Sequence, residues 1–211
     1  VTTSNGTGIL ASTSPLTIGG TGSTVTATGG PAPDLASVNL GAGATFATAS
    51  STGSAGKGMN LDTLTGPLTM NGGSIGTPTG IAFDLNAGSA NVTYAGAISN
   101  VANALLIDIT GRTGGTVNLS GNLSSITLGD GINVSSNTGG TINFSGASKT
   151  LNTVAATAVT LATNTGATIN FTNGGLAITT TSGAGFKATG GATALTVQGT
   201  GNTISSATGT A

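Results

Sequence analysis

The side chains able to do acid, base or metal chemistry are few enough to name. Five aspartates (Asp34, Asp62, Asp84, Asp108 and Asp130) and four basic residues (Lys57, Arg112, Lys149 and Lys187) make up the charged set, and the chain has no His, Cys or Glu. Asp62, Asp84 and Asp108 each follow an apolar residue (Leu61, Phe83 and Ile107), one in each of three successive repeats. Set one above another in stacked coils, they form a column with neighbours about 5 Å apart. Carboxylates that close repel unless a cation sits between them, and all-oxygen ligation suits Ca²⁺. The plainer expectation is that the three point into water and are screened, with Lys57 and Arg112 nearby. The Gly-Gly-x-Gly-x-Asp repeat of calcium-binding β-rolls is absent.

Catalysis finds little to work with. Glycoside hydrolysis needs two facing carboxylates, and a metal-dependent lyase needs an acidic cluster beside a base. Asp108 with Arg112 is the nearest approach to either. No imidazole is present to move protons near neutral pH. Tyr94 and five Phe fall mostly at inward phases and offer no platform for a sugar. The expectation is a protein with no catalytic residue, no cofactor and no enzymatic activity.

The most regular polar feature is a ladder: Thr17, Thr45, Thr69, Thr93, Asn118, Asn143, Asn170 and Thr196. Each is the middle of an apolar-polar-apolar triplet, so each faces outward. A flat Thr/Asn face could order water as an ice-binding surface, or meet a glycan. It is also what an uncharged strand surface looks like when Thr and Asn are chosen for β compatibility and stacking.

The elements that carry the ladder are read from its spacing. The triplets are Leu16-Thr17-Ile18, Ala44-Thr45-Phe46, Leu68-Thr69-Met70, Val92-Thr93-Tyr94, Val117-Asn118-Leu119, Ile142-Asn143-Phe144, Ile169-Asn170-Phe171 and Leu195-Thr196-Val197. They recur at a near-constant period, and alternation within each has the period of a strand. A second strand precedes each triplet, at Ile9-Leu10, Val38-Asn39-Leu40, Met59-Asn60-Leu61, Ile81-Ala82-Phe83, 105–109, Ile132-Asn133-Val134, Val159-Thr160-Leu161 and Phe186-Lys187-Ala188. A third follows, clearest at Ile126-Thr127-Leu128, 151–154, Leu176-Ala177-Ile178 and Ile204. Gly-Gly pairs at 114–115, 139–140, 174–175 and 190–191 mark corners. Pro15 and Pro67 share the position before a triplet, where a strand tolerates proline. Pro31 and Pro33 place a bulged loop at 29–34.

Three short strands per roughly 25 residues, eight times over, predict an all-β fold. It is a single-stranded parallel β-helix (a β-solenoid) of about eight triangular coils, one domain over 1–211. An antiparallel sandwich has no need for the same residue types at every third strand. Helices are excluded by 38 Gly and the abundance of Thr, Ser and Asn.

Composition narrows the partners. Only 4% of residues are charged and the net charge is −1, so phosphate runs and anionic membranes find nothing to bind. No apolar run approaches the ~20 residues of a transmembrane helix. The chain opens Val1-Thr2-Thr3-Ser4, without Met or signal peptide, and reads as a processed product or a piece of something longer.

With these motifs on the page, the sequence resembles the β-strand-repeat segments of very large bacterial surface and secreted proteins. Autotransporter passengers and filamentous-haemagglutinin-type adhesins are examples. Thr141-Ile142-Asn143-Phe144-Ser145-Gly146, Gly185-Phe186-Lys187-Ala188-Thr189-Gly190-Gly191 and residues 202–210 carry the likeness, which runs along the whole chain. Phe171-Thr172-Asn173 before Gly174-Gly175-Leu176 is also similar to short motifs of chlamydia-type polymorphic outer-membrane proteins. The resemblance implies an extracellular or cell-surface location and a structural or adhesive role, with a host surface or glycan as partner.

Phase supplies the last expectation. Residues 209–211 match 6–8 after eight coils, with no charged strand, helix or aromatic plug between stack and solvent. An open coil edge templates further pairing. Head-to-tail self-association into a fibre, stalk or filament is the expected consequence, with ice or glycan binding as the alternative.

Overall fold

A computed structural model describes residues 1–20, 22–126 and 130–211. All the regular structure described is β, and every pairing between named strands is parallel, each strand lying on its counterpart one coil along the chain. The chain is a β-solenoid of about eight coils with three strand positions per coil. The first face is a nine-stranded sheet running from Thr2–Gly6 and Thr24–Gly29 up to Leu176–Thr180 and Thr203–Ser206. The second face holds Leu10–Ser12, Asp34–Ala36, Met59–Asp62, Phe83–Asn86, Leu105–Thr110 and Asp130–Ser135, and the third holds Ala44–Phe46, Leu68–Met70, Val92–Tyr94, Thr113–Leu119 and Gly139–Phe144. Val159–Phe171 and Phe186–Val197 run through the corner without a break. They join the second and third faces into one folded thirteen-stranded sheet.

Stacking puts like on like. On the third face Phe46, Met70, Tyr94, Leu119, Phe144 and Phe171 share one inward column. On the second, Leu35, Leu61, Leu85, Ile109, Val134 and Leu161 share another. All twelve are at most 3% exposed. The Phe144 and Phe171 rings stack at 4.6 Å between centroids, an offset contact that adds to simple burial. The core is thus continuous along the stack, because each coil is covered by the coils above and below.

The corners are built twice over. Between second and third faces one residue per coil takes the left-handed conformation: Thr13, Ser37, Thr63, Ala87, Gly111, Ser136, Thr163 and Gly190, with φ from 51° to 73°. Six of the eight carry side chains, each at a cost of about 1 kcal/mol; inter-coil bonds such as Thr63 N to Asn86 O at 2.8 Å hold the bend. Between first and second faces a hydroxyl turns inward onto a carbonyl three residues ahead. Thr3 meets Gly6 O, Ser54 meets Lys57 O, Thr153 meets Ala156 O and Thr180 meets Gly183 O, at 2.6 to 2.9 Å.

Several strands lie a short slip from their expected places. Ile18, not Leu16, pairs with Ala44, and Pro15 pairs with Asn39, so Thr17 is off the ladder and Pro15 is out of phase with Pro67. The second-face strand of the second coil is Asp34–Ala36, and Val38-Asn39-Leu40 belongs to the following corner. On the first face Leu123–Ser125 takes the slot expected for Ile126; Ile126 is 43% exposed, and Thr127 and Leu128 lie outside the described residues. Residues 29–34 do not bulge. Ala32 and Pro33 are buried, and Ala32 N donates to Gly58 O at 2.9 Å.

Candidate functional site

The outward ladder stands from Thr45 upward. Thr45, Thr69, Thr93, Asn118, Asn143, Asn170 and Thr196 are successive partners in register, each half-buried. Its amides are spent on one another. Asn143 Nδ2 donates to Asn118 Oδ1 at 2.7 Å, and Asn170 Nδ2 donates to Asn143 Oδ1 at 2.8 Å. This is the stacked-amide device that also stabilises cross-β spines. It leaves Thr45, Thr69 and Thr93 as the freer half of the face.

The acidic column differs from expectation in one member. Asp84 and Asp108 are direct partners, but Asp84 stands on Asn60, and Asn60 on Asp34. Asp62 stands two residues along, beneath Asn86 and Thr110. Asp62, Asp84 and Asp108 therefore do not form one column, and no group of three metal-ligating side chains is gathered among the described residues. Asp34, Asp62, Asp84 and Asp108 are each engaged locally. Lys57 pairs with Asp84 and donates to Asn60 Oδ1 at 2.8 Å. Asn60 donates to Asp34 at 2.7 Å, and Asn133 donates to Asp108 at 2.8 Å. Burial pushes the Asp108 carboxyl above the usual aspartate range; the Asn133 amide opposes this, Asp84 adds to it, and Lys57 opposes it.

Two cations lie inside the coils, where the sequence reading had not put them. Arg112 is 1% exposed. Its guanidinium donates to Ala87 O and Ala90 O, both at 2.5 Å, and to Gly114 O at 3.1 Å. Its Nε has no partner among the described residues. No carboxylate is among these partners, so Arg112 does not screen the acidic column. Burial lowers its pKa to about 10. It follows the left-handed corner residue Gly111, at the position held by Leu64 below and by Asn137 and Asn164 above. Asn137 accepts from Arg112 N at 2.8 Å and donates to Asn164 Oδ1 at 2.7 Å, so an interior amide ladder continues the Arg.

Lys149 is fully buried in the column of Ile98, Leu123 and Leu176. Its Nζ donates to Gly146 O, Thr172 O and Gly174 O at 2.5 to 2.9 Å, and burial lowers its pKa. The phase of Lys149 among apolar residues was the available signal for an inward lysine. Nothing in these interior groups reaches a surface where a substrate could sit.

Three exposed apolar residues lie together at one end of the stack. Leu195, Val197 and Ile204 are 40%, 43% and 43% exposed, whereas Ile169, Phe171 and Ile178 directly beneath them are 0 to 1% exposed. A hollow of about 330 Å³ there is lined by Leu176, Phe186, Val197, Asn202, Thr203 and Ile204. Among the described residues, no helix is long and apolar enough to cross a membrane. Compared with known proteins, the chain matches no family model, no curated protein and no solved structure.

Proposed function

We propose that this chain is a structural, adhesive segment of an extracellular or bacterial cell-surface β-helix. It builds a fibre, stalk or filament by continuation of coils, end to end. The observation that carries this reading is the exposure of Leu195, Val197 and Ile204 in columns that are otherwise buried. A further coil is the natural cover for such a face, since it supplies both apolar contact and backbone partners. The side-chain chemistry is consistent with a non-enzymatic role, because Asp34, Asp84, Asp108, Lys57, Arg112 and Lys149 are engaged with their own neighbours. Electron microscopy of the purified chain tests the reading: filaments support it, and monodisperse rods at every concentration overturn it.

A second reading has one observation in its favour, the unbroken register of seven Thr/Asn positions from Thr45 to Thr196. It makes this face an ice- or glycan-binding surface. Absence of thermal hysteresis removes the first option, and a blank glycan array removes the second.

A further inference from the structure

We infer that Asn71 is a self-modification site of the folded chain. The Gly72 backbone nitrogen attacks the Asn71 side chain, ammonia leaves, and water opens the resulting ring to aspartate or isoaspartate.

The chain has three Asn-Gly pairs, Asn5-Gly6, Asn71-Gly72 and Asn173-Gly174. Glycine after asparagine favours this ring closure, because no side chain shields its nitrogen. The step makes two demands of the fold. The glycine N–H has to be free to lose its proton, and the asparagine side chain has to be free to swing toward it.

The structure treats two of the pairs in opposite ways. Asn71-Gly72-Gly73 and Asn173-Gly174-Gly175 share one sequence, and both asparagines are exposed. Asn173 is held at three points. Its backbone is left-handed, with φ at 64°. Its Nδ2, the leaving group, donates to Ser145 O at 2.8 Å. The nitrogen that would attack, Gly174 N, donates to Gln198 O at 3.0 Å. Asn71 is held by its backbone alone, through its N–H to Phe46 O at 3.0 Å. Gly72 lies between the strands Leu68–Met70 and Ser74–Gly76. Among the described residues its N–H has no hydrogen-bond acceptor, and the Asn71 side chain has no partner. The third pair is set in the strand Thr2–Gly6, where Gly6 stands in register with Gly29.

The reaction balances with water as the one co-reactant. Gly72 N gives its proton to solvent and bonds to Asn71 Cγ. The Cγ–Nδ2 bond breaks, and Nδ2 takes a proton and departs as ammonia. Water then opens the succinimide. Attack at the side-chain carbonyl gives aspartate, and attack at the main-chain carbonyl gives isoaspartate, with the chain continuing through Cβ and Cγ.

The product alters a surface. All five aspartates lie on second-face strands, and no aspartate lies on a third-face strand. Asn71 ends the third-face strand Leu68–Met70, two residues beyond Thr69 of the outward ladder, and is in line with Ala47 below and Ala95 above. Modification therefore puts a carboxylate beside a face that has none. The isoaspartate form also lengthens the backbone at a tight corner, where a Cβ on Gly73 would fall 2.1 Å from Ala49 O.

Trypsin separates the three pairs for measurement, because cleavage after Lys57, Arg112, Lys149 and Lys187 puts Asn5, Asn71 and Asn173 on different peptides. The full folded chain is incubated at mildly alkaline pH, sampled over weeks and digested. Each peptide is read by mass spectrometry for an amide turned to acid. Two hydrogen bonds that must first open at Asn173 set the expected result: Asn71 converts at least about tenfold faster than Asn173. In urea, where neither pair is held, the two should convert at similar rates. A smaller difference in the folded chain, the reverse order, or the same difference in urea overturns the inference. Gly72→Ala keeps Asn71 and has room, since a Cβ there meets nothing nearer than Ala47 O at 3.6 Å. It should slow conversion of Asn71; an unchanged rate overturns attack by the Gly72 nitrogen.

Discussion

Asp84 and Asp108 are direct partners on neighbouring parallel strands, and one lysine, Lys57, serves the pair. Lys57 contacts Asp84, while Asp108 relies on the Asn133 amide. The Asp108 carboxyl is therefore the strained member, raised mainly by burial. A carboxyl whose folded pKa lies above its unfolded value stabilises the fold at low pH. That contribution is lost as pH rises from about 4 through the folded pKa. Asp108→Asn keeps the contact with Asn133 and removes the charge. It should melt on the order of a degree or two above the parent at pH 7 and level with it at pH 3. Equal differences at both pH values, measured by circular dichroism, would refute the electrostatic account.

Arg112 gives a larger effect. Truncation to Ala strands three carbonyls, Ala87 O, Ala90 O and Gly114 O, and opens a cavity beside Asn137. Arg112→Ala should cost about 3 to 5 kcal/mol, in line with breaking a buried charged network. Arg112→Lys should fall between, since one ammonium replaces a planar fork of donors. Urea unfolding curves measure both; a loss below ~1 kcal/mol for the Ala variant contradicts the carbonyl cage.

Along the outward ladder, Asn143→Ala breaks two amide bonds at a half-buried site and should cost ~1 kcal/mol. Asn143→Thr should be milder, because Thr93 already stands beneath Asn118 in the same column. If the two variants unfold at the same urea concentration, the amide stacking contributes nothing measurable.

Backbone approach between coils is tested at Gly121. A Cβ there falls 1.8 Å from Gly96 O in the coil below, with no side-chain rotation able to relieve it. Gly121→Ala should destabilise by more than ~2 kcal/mol. Gly56→Ala, where a Cβ meets nothing within 4 Å, should stay within about 0.5 kcal/mol of the parent. Chemical denaturation of the pair separates steric contact from any general effect of adding a methyl.

Much of what sequence could and could not reveal divides along one physical line. Alternation of apolar and polar residues reports which face of a strand a side chain takes, and period alone sufficed for the coils, the three strands and the ladder from Thr45 to Thr196. A slip of two residues keeps every side chain on its face, so the pattern is blind to it. That is the error at Leu16-Thr17-Ile18, where Ile18 rather than Leu16 pairs with Ala44, and at Asp62, which sits two positions from the column of Asp84. Only the backbone pairing between coils decides such cases. Lys149 and Arg112 escaped for a different reason: their charge argues for water, although Lys149 stands at an apolar phase and each is held in part by a carbonyl of a Gly-Gly corner, Gly174 O and Gly114 O.

The strand pairing also sets how the rod answers tension. Among the described strands, each pairs with its counterparts one coil before and one coil after it. A pull between the two termini therefore loads the outermost coil first. Freeing one coil replaces about 4.8 Å of rod by roughly 80 Å of extended chain. The molecule is thus a stiff spacer at low force and a long ripcord beyond it, yielding in steps of one coil while the rest of the shaft keeps its shape.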